Sequence, residues 1–351
     1  MAAVSKVSLS NGEKIELISN LSTMLGAGIP ILDAVNSILE DSKGNPKKIL
    51  ESLKTDLMSG KRVSASLAGY PRAFDKVTVN LIKASEEAGT LETTLEDLRT
   101  HIRQEMEFTD KIKFALLYPV LIMVVFILVL LVILIYVVPK ISQVFSRMRV
   151  DLPLPTRIMI FVSNIMLHYT WALIGGMALS VVLLIVLYKS KKHLVMEFFF
   201  SLPFVSNLIK MVDMTRFCRS MFLLLNSGLP ITSALDLTRE VVFKKRTAKI
   251  ISSARDMVMS GKRLSDGFRT AKGYFPSIIV KLIESGEKSG TLDKSMKEIS
   301  EYLDYQVANA LKAFTAILEP VMLVLVGVSV GAMMLAIIAP IYGLIGQVGG
   351  R

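Results

Sequence analysis

In 351 residues there is one cysteine, Cys218. A disulfide framework within the chain is therefore excluded, and so is a zinc centre built on cysteines. Histidine is nearly as scarce. His101, His168 and His193 stand in three separate segments, and no Ser–His–Asp or Cys–His grouping can be assembled from their spacing. Charged residues make up 20% of the chain and hydrophobic ones 52%, an apolar balance for a soluble protein. No stretch shows the period-two alternation of a half-buried strand. Met1 to Lys6 has no apolar core, so no cleaved signal peptide is expected.

What is abundant is internal repetition. Met58-Ser59-Gly60-Lys61-Arg62 returns letter for letter as Met259-Ser260-Gly261-Lys262-Arg263. Leu25-Gly26-Ala27-Gly28-Ile29-Pro30-Ile31 returns as Leu225-Asn226-Ser227-Gly228-Leu229-Pro230-Ile231, and Glu86-Glu87-Ala88-Gly89-Thr90-Leu91 as Glu287-Lys288-Ser289-Gly290-Thr291-Leu292. Phe74, Leu81, Ile82 and Pro119 match Phe275, Leu282, Ile283 and Pro320. One inserted residue aligns the whole stretch, so one domain is carried twice.

Within the first copy, Ile15, Ile18, Leu21 and Leu25 form an apolar stripe at helical spacing. Gly26-Ala27-Gly28 stops that helix and Pro30 starts the next. Asn45-Pro46 predicts another start, with Asn45 as N-cap, and Gly60 is its C-terminal glycine. A short segment follows around Ala65–Leu67. A further helix runs from about Asp75 to Ala88, and a long one begins at Leu91. Residues 13–113 thus read as a bundle of about six helices, repeated over 195–316. The fold class is all-α.

Leu116 to Val138 is free of charge over a length sufficient to cross a bilayer of about 30 Å. Trp171 to Tyr188 (171–188) reads as a second span with interfacial aromatics at both ends, and 320–345 as a third. A connector, 139–170, joins the first two. Two crossings between the copies put both on one side of the membrane. The sequence therefore predicts a polytopic protein with three transmembrane helices (116–138, 171–188, 320–345), two homologous cytoplasmic bundles and an outward C-terminus. Charge is uneven: residues 1–114 hold 15 basic and 16 acidic groups, net −1, whereas 189–316 hold 21 and 12, net +9. A basic copy suits anionic membrane lipid or an acidic partner. No aromatic or glycine-rich recognition pattern points to nucleic acid.

Residues that could carry chemistry are few. Gly60-Lys61 and Gly261-Lys262 resemble part of a phosphate loop, yet Arg follows each Lys where Ser or Thr is required, and Thr55 stands where a glycine should, so each pair reads as a helix-terminating glycine followed by basic residues. No catalytic residue, cofactor or metal site is expected. His101, between Arg99 and Arg103, reads as solvated. The spans contain no ionisable group apart from Glu319 at the edge of the third, which argues against a small-solute channel or permease, the alternative reading. Gly327 and Gly331 form a Gly-x-x-x-Gly face suited to close packing of helices in lipid, within the chain or in a homo-oligomer. The turns at Gly28-Ile29-Pro30 and Gly228-Leu229-Pro230 are expected to need φ > 0 at their glycines. With Glu319, they are the candidate partner contacts.

These turns, the Ser-Gly-Lys-Arg and Gly-Thr-Leu signals, and Leu117-Tyr118-Pro119 with Leu318-Glu319-Pro320 resemble the F family of type II secretion systems and type IV pilus machines. The resemblance covers about residues 13–345. It implies a multi-pass inner-membrane platform protein with cytoplasmic helical bundles. It also implies as partners a hexameric assembly ATPase, pilin or pseudopilin subunits and other inner-membrane platform proteins. Many relatives carry a longer extension before the first bundle than the short leader here.

Overall fold

The computed structural model describes residues 7–140, 142–143, 157–158, 160–161, 163, 165 and 203–348, and all regular structure among them is helical. The predicted span 171–188 and most of the connector lie outside the described residues. Helices α1 (Asn11–Gly26), α2 (Ile31–Asp41), α3 (Gly44–Met58), α4 (Val63–Leu67), α5 (Lys76–Ala88) and α6 (Leu91–Val132) come first. Then α7 (Pro203–Asn226), α8 (Ile231–Thr238), α9 (Lys245–Met259), α10 (Leu264–Thr270), α11 (Ser277–Ser289) and α12 (Leu292–Val348) follow in the same order.

The repeated letters of the sequence correspond to repeated local physics. Helix α1 opens with a capping box, Glu13 N–H donating to Ser10 Oγ at 3.2 Å and Ser10 N–H to the Glu13 carboxylate at 2.7 Å. It closes where Gly28 turns to φ 78°, and α7 closes likewise at Gly228 with φ 79°. A residue with Cβ is strained there by about 1–2 kcal/mol. Gly60 and Gly261 end α3 and α9 at φ 80° and 81°.

The next device explains why the Ser-Gly-Lys-Arg and Glu-x-x-Gly motifs travel together. The short helices α4 and α10 have no capping side chain of their own at Arg62 and Arg263. Instead a glutamate near the end of the next helix, α5 or α11, caps each from a distance. The Glu86 carboxylate accepts from Val63 N–H at 2.6 Å and Ser64 N–H at 3.1 Å. Glu287 accepts from Leu264 N–H and, at 3.0 Å, from Ser265 N–H. Lys61, in the motif that resembled a phosphate loop, holds Asp56 at 2.7 Å. Glu86→Ala and Glu287→Ala are each expected to cost about 1–2 kcal/mol by orphaning two helix N–H groups. Chemical denaturation of the single variants checks this, and near-equal losses are expected.

One expected boundary differs. Helix α3 begins at Gly44, with Lys43 in the cap position, and Asn45 lies inside the first turn. Its side-chain amide donates to the Ser8 carbonyl at 2.9 Å, so it ties down the segment ahead of α1 instead of capping.

The chain divides into two compact units. One comprises Met1–Lys111 with Phe204–Ala308 and the other Ile112–Pro203 with Asn309–Arg351. In the first unit one cluster of buried apolar side chains runs through both sets of helices, from Ile18, Leu50 and Leu81 to Phe217, Phe268 and Ile299. The second unit has inverted exposure. Leu117, Val120, Leu121, Val124 and Leu128 of α6, and Val321, Leu323, Val324 and Val328 of α12, all stand exposed. Exposed apolar surface over such lengths suits lipid, not water. Among the described residues, two helices are long and apolar enough to cross a membrane. Near the end of the first, Ile133–Val137 widens into a π turn. Ser163 Oγ donates to the Leu134 carbonyl there at 2.6 Å.

Candidate functional site

Between α6, α7 and α12 the first unit holds a cluster of charges inside otherwise apolar packing. Arg219, on α7 between Cys218 and Ser220, is only 4% exposed. Its guanidinium donates to the Glu105 carboxylate of α6 at 3.0 Å and to the Asp304 carboxylate of α12. Arg216, one turn earlier, reaches the other Glu105 oxygen at 2.6 Å. Phe108 lies against the Arg219 guanidinium, 5.3 Å from ring centre to charge. Glu105 and Arg219 thereby join the first set of helices to the second. Asn226 Nδ2 adds a bond to Asp97 at 3.1 Å, and Lys76 pairs with Glu240 at 2.8 Å on the surface. That exposed pair contributes little.

Beside the cluster is a cavity of about 240 Å³ lined by His101, Phe108, Lys111, Arg219, Lys297 and Asp304, with Asp97, Glu107 and Glu301 also on its wall. His101 was expected to be solvated. It is half-buried here because α7 covers the face of α6 that carries it. Burial, with help from the Arg219 charge, lowers its pKa from the ordinary 6.5 to about 4. Burial raises the Asp304 pKa, with Arg219 pulling the other way.

A histidine pKa depressed by folding contributes stability that is intact above pH 6.5 and is lost as pH falls from 6.5 towards 4. A carboxyl raised by folding has the opposite sign, so Asp304 opposes folding once it ionises. Acidification from pH 7 to 5 is therefore expected to lower the unfolding free energy through His101, by at most about 1.4 kcal/mol per pH unit, and the melting temperature with it. His101→Gln should flatten that slope; a melting curve just as steep in the variant would remove His101 from the account.

The residues singled out from sequence lie elsewhere. Gly28, Pro30, Gly228 and Pro230 are exposed at the α1–α2 and α7–α8 corners. A Cβ built on either glycine meets nothing within 4 Å. Among the described residues, no hydrogen bond or ion pair joins one corner to the other. Glu319 is exposed on α12 in the second unit. Gly327 and Gly331 are exposed too, and a Cβ on either meets nothing within 4 Å. Neither glycine therefore packs against another described helix. Sequence reading missed Arg219, although an arginine between Phe217-Cys218 and Met221 in a stripe of apolar helix was a signal for a buried charge.

Comparison with known proteins decides the family. The model described as type II secretion system, protein F, matches the chain twice, at residues 17–139 and 217–340. The chain belongs to the type II secretion system protein F family. Each match takes in one set of helices and the apolar continuation of its last member. The type IV pilus assembly protein PilC of Thermus thermophilus is 30% identical over 93% of this chain and 81% of its own length. The type II secretion system protein F of Pseudomonas aeruginosa is 30% identical, covering 92% and 80%. PilC of the same organism is 29% identical, covering 94% and 89%. In this F-family chain, then, the charged seam joins elements from the two matched segments.

Proposed function

We propose that this chain is the inner-membrane platform of a type IV pilus or type II secretion machine, coupling a cytoplasmic hexameric assembly ATPase to extraction and assembly of pilin or pseudopilin. Family membership supports the class of machine. The observation that carries the coupling is the continuity of α6 and α12. Each starts as an amphipathic member of the helical unit and runs without a break into an exposed apolar stretch. A helix continuous through two environments offers a path for displacement from one to the other. In this reading the chain crosses the membrane three times, at about 116–138, 171–188 and 320–345. Both bundles face the cytoplasm, and the C-terminus lies outside.

Hydrolysis belongs to the partner. Lys61 is occupied by Asp56, and the repeated glycines end helices instead of cradling phosphate. Purified chain should hydrolyse no ATP, and Lys61→Ala with Lys262→Ala should leave the rate of a mixture with the ATPase unchanged. In the host, deleting this chain should leave mature pilin in the bilayer with no surface fibre or no secreted substrate. Fibre assembly or secretion at the normal level without it would refute the platform role.

The twin corners are our candidate partner surface. Since open space surrounds the Gly228 position, Gly228→Val should strain the turn by about 1–2 kcal/mol and leave a folded protein. Weakened pulldown of the ATPase at near-normal melting is the expected result. Unchanged pulldown by the folded variant would rule out the corner.

A further inference from the structure

The two sets of helices share their order and their turns, but they part company between the second and third helix. In the first set, α2 ends at Asp41 and Ser42-Lys43 leads directly to α3. In the second set, α8 ends at Thr238, a turn earlier, and Arg239-Glu240-Val241-Val242-Phe243-Lys244 leads to α9. The one inserted residue of the repeat falls here, because α2 and α8 start 200 positions apart and α3 and α9 start 201 apart. The same fold needs no such change. Glu40 and Lys43 recur as Glu240 and Lys244, but between them Asp41-Ser42 gives way to Val241-Val242-Phe243, and after them Gly44-Asn45 gives way to Lys245-Arg246.

The geometry gives this loop a shape. Asp213 of α7 accepts from Phe243 N–H at 2.7 Å and Lys244 N–H at 2.8 Å, so the loop backbone is pinned. Lys244 Nζ donates to the Ser206 carbonyl at 2.7 Å, tying the loop to the first turn of α7. In the sequence, α7 follows the apolar stretch ending at Tyr188 and the lysines 189, 191 and 192. Phe243 rests one ring face on the Arg216 guanidinium, 4.6 Å away, and still leaves 47% of its surface exposed. Lys210 and Arg246 both lie against the Tyr274 ring, at 4.8 and 5.0 Å. Arg246 and Lys249 are exposed one turn apart on α9. Burial lowers the Lys210 pKa, and the charges of Lys244 and Arg246 add to it, so these cations crowd one another. Asp213 is the acid beside them, and its oxygens are taken by the loop N–H groups and Thr247.

We propose that the Arg239–Lys244 loop and the start of α9 form a docking surface for the anionic leaflet of the membrane, with Phe243 entering the headgroup region and Lys210, Arg246 and Lys249 binding lipid phosphates. An exposed ring on a pinned loop, flanked by crowded cations, is the pairing that an interfacial site requires. The loop is tied to the first turn of α7, and α7 runs antiparallel to α6, with Arg219 beside Glu105 and Asn226 beside Asp97. It therefore lies at the end of the first unit from which α6 continues into its exposed apolar stretch, and that selects lipid over an acidic protein. The surface would hold the second set of helices in a fixed attitude to the bilayer while the partner acts on the molecule.

The test uses the full chain carrying Phe243→Cys, labelled there with an environment-sensitive fluorophore. Cys218, 1% exposed, stays unlabelled in the folded protein. The chain is placed in nanodiscs of phosphatidylcholine alone, or with about a third of phosphatidylglycerol, and co-elution with the nanodisc reads insertion separately. The emission should shift to the blue only with phosphatidylglycerol, and high salt should reverse the shift. Arg246→Gln with Lys249→Gln should weaken the lipid-dependent change about 30-fold, at roughly fivefold for each cation near the surface. Lys210→Gln, on a different helix, should weaken it as well. Inorganic phosphate added to the phosphatidylcholine discs should not reproduce the shift; if it does, the site takes free anions and the leaflet is not its ligand. An equal emission in both discs overturns the proposal. So does a shift that appears only when the hexameric ATPase is added, which would make the loop a protein contact.

Discussion

Arg219→Ala is expected to destabilise the helical unit by about 3 kcal/mol, the largest loss we anticipate from a single side chain in the charged seam. Its guanidinium is the only bridge described between Glu105 of α6 and Asp304 of α12. Removing it leaves Asp304 without that cation in a site where burial already raises its pKa. Glu105 keeps Arg216 at 2.6 Å, and both carboxylates retain some contact with water, which holds the loss at the lower end for breaking a buried pair. Arg103→Ala is the matched control. Its pair with Glu107 is fully on the surface, and a change within about 0.5 kcal/mol is expected. Denaturant melts of the detergent-solubilised chain measure both. If Arg219→Ala costs no more than Arg103→Ala, the seam is not a structural joint.

Gly267→Val should cost a comparable amount for a different reason. A Cβ on Gly267 would lie 2.7 Å from the Ala254 Cα and Cβ. The obstacle is backbone of α9, which cannot swing aside as a long side chain would. Helices α9 and α10 must separate, and overpacking of this kind costs about 1–3 kcal/mol, with valine's added bulk placing it at the upper end. The corresponding position in the first set is Ser66, where a buried Cβ is already accommodated. Gly12→Ala, with nothing within 4 Å of its added Cβ, should be close to neutral. A Gly267→Val protein that melts like the parent would mean that α10 is not seated against α9.

Much of the helix order was legible because its signals are local. Pro30 and Pro230, Gly60 and Gly261, and Gly89 and Gly290 each act within one turn, and the start and stop of a helix depend on little else. The start of α3 was misjudged because Asn45 has a better partner in Ser8, a residue 37 positions away that no local rule could supply. The repeated Glu86 and Glu287 were visible as letters, but their capping of α4 and α10 spans more than twenty positions. The charged seam was hidden for the same reason on a larger scale. Arg219 meets Glu105 across 114 positions and Asp304 across 85, and these acids are not related by the repeat offset. His101 was misread because its neighbours in sequence are polar while its neighbour in space is α7.

The coupling claim is tested most directly by binding of the hexameric assembly ATPase to vesicles that hold the full chain with Lys76 and Lys262 accessible to added protease. Saturable binding in proportion to outward-facing chains is expected, with weaker binding to vesicles carrying Gly228→Val. The same ATPase on empty vesicles should bind only at the background level. Equal binding to empty and loaded vesicles, with or without nucleotide, would contradict the account.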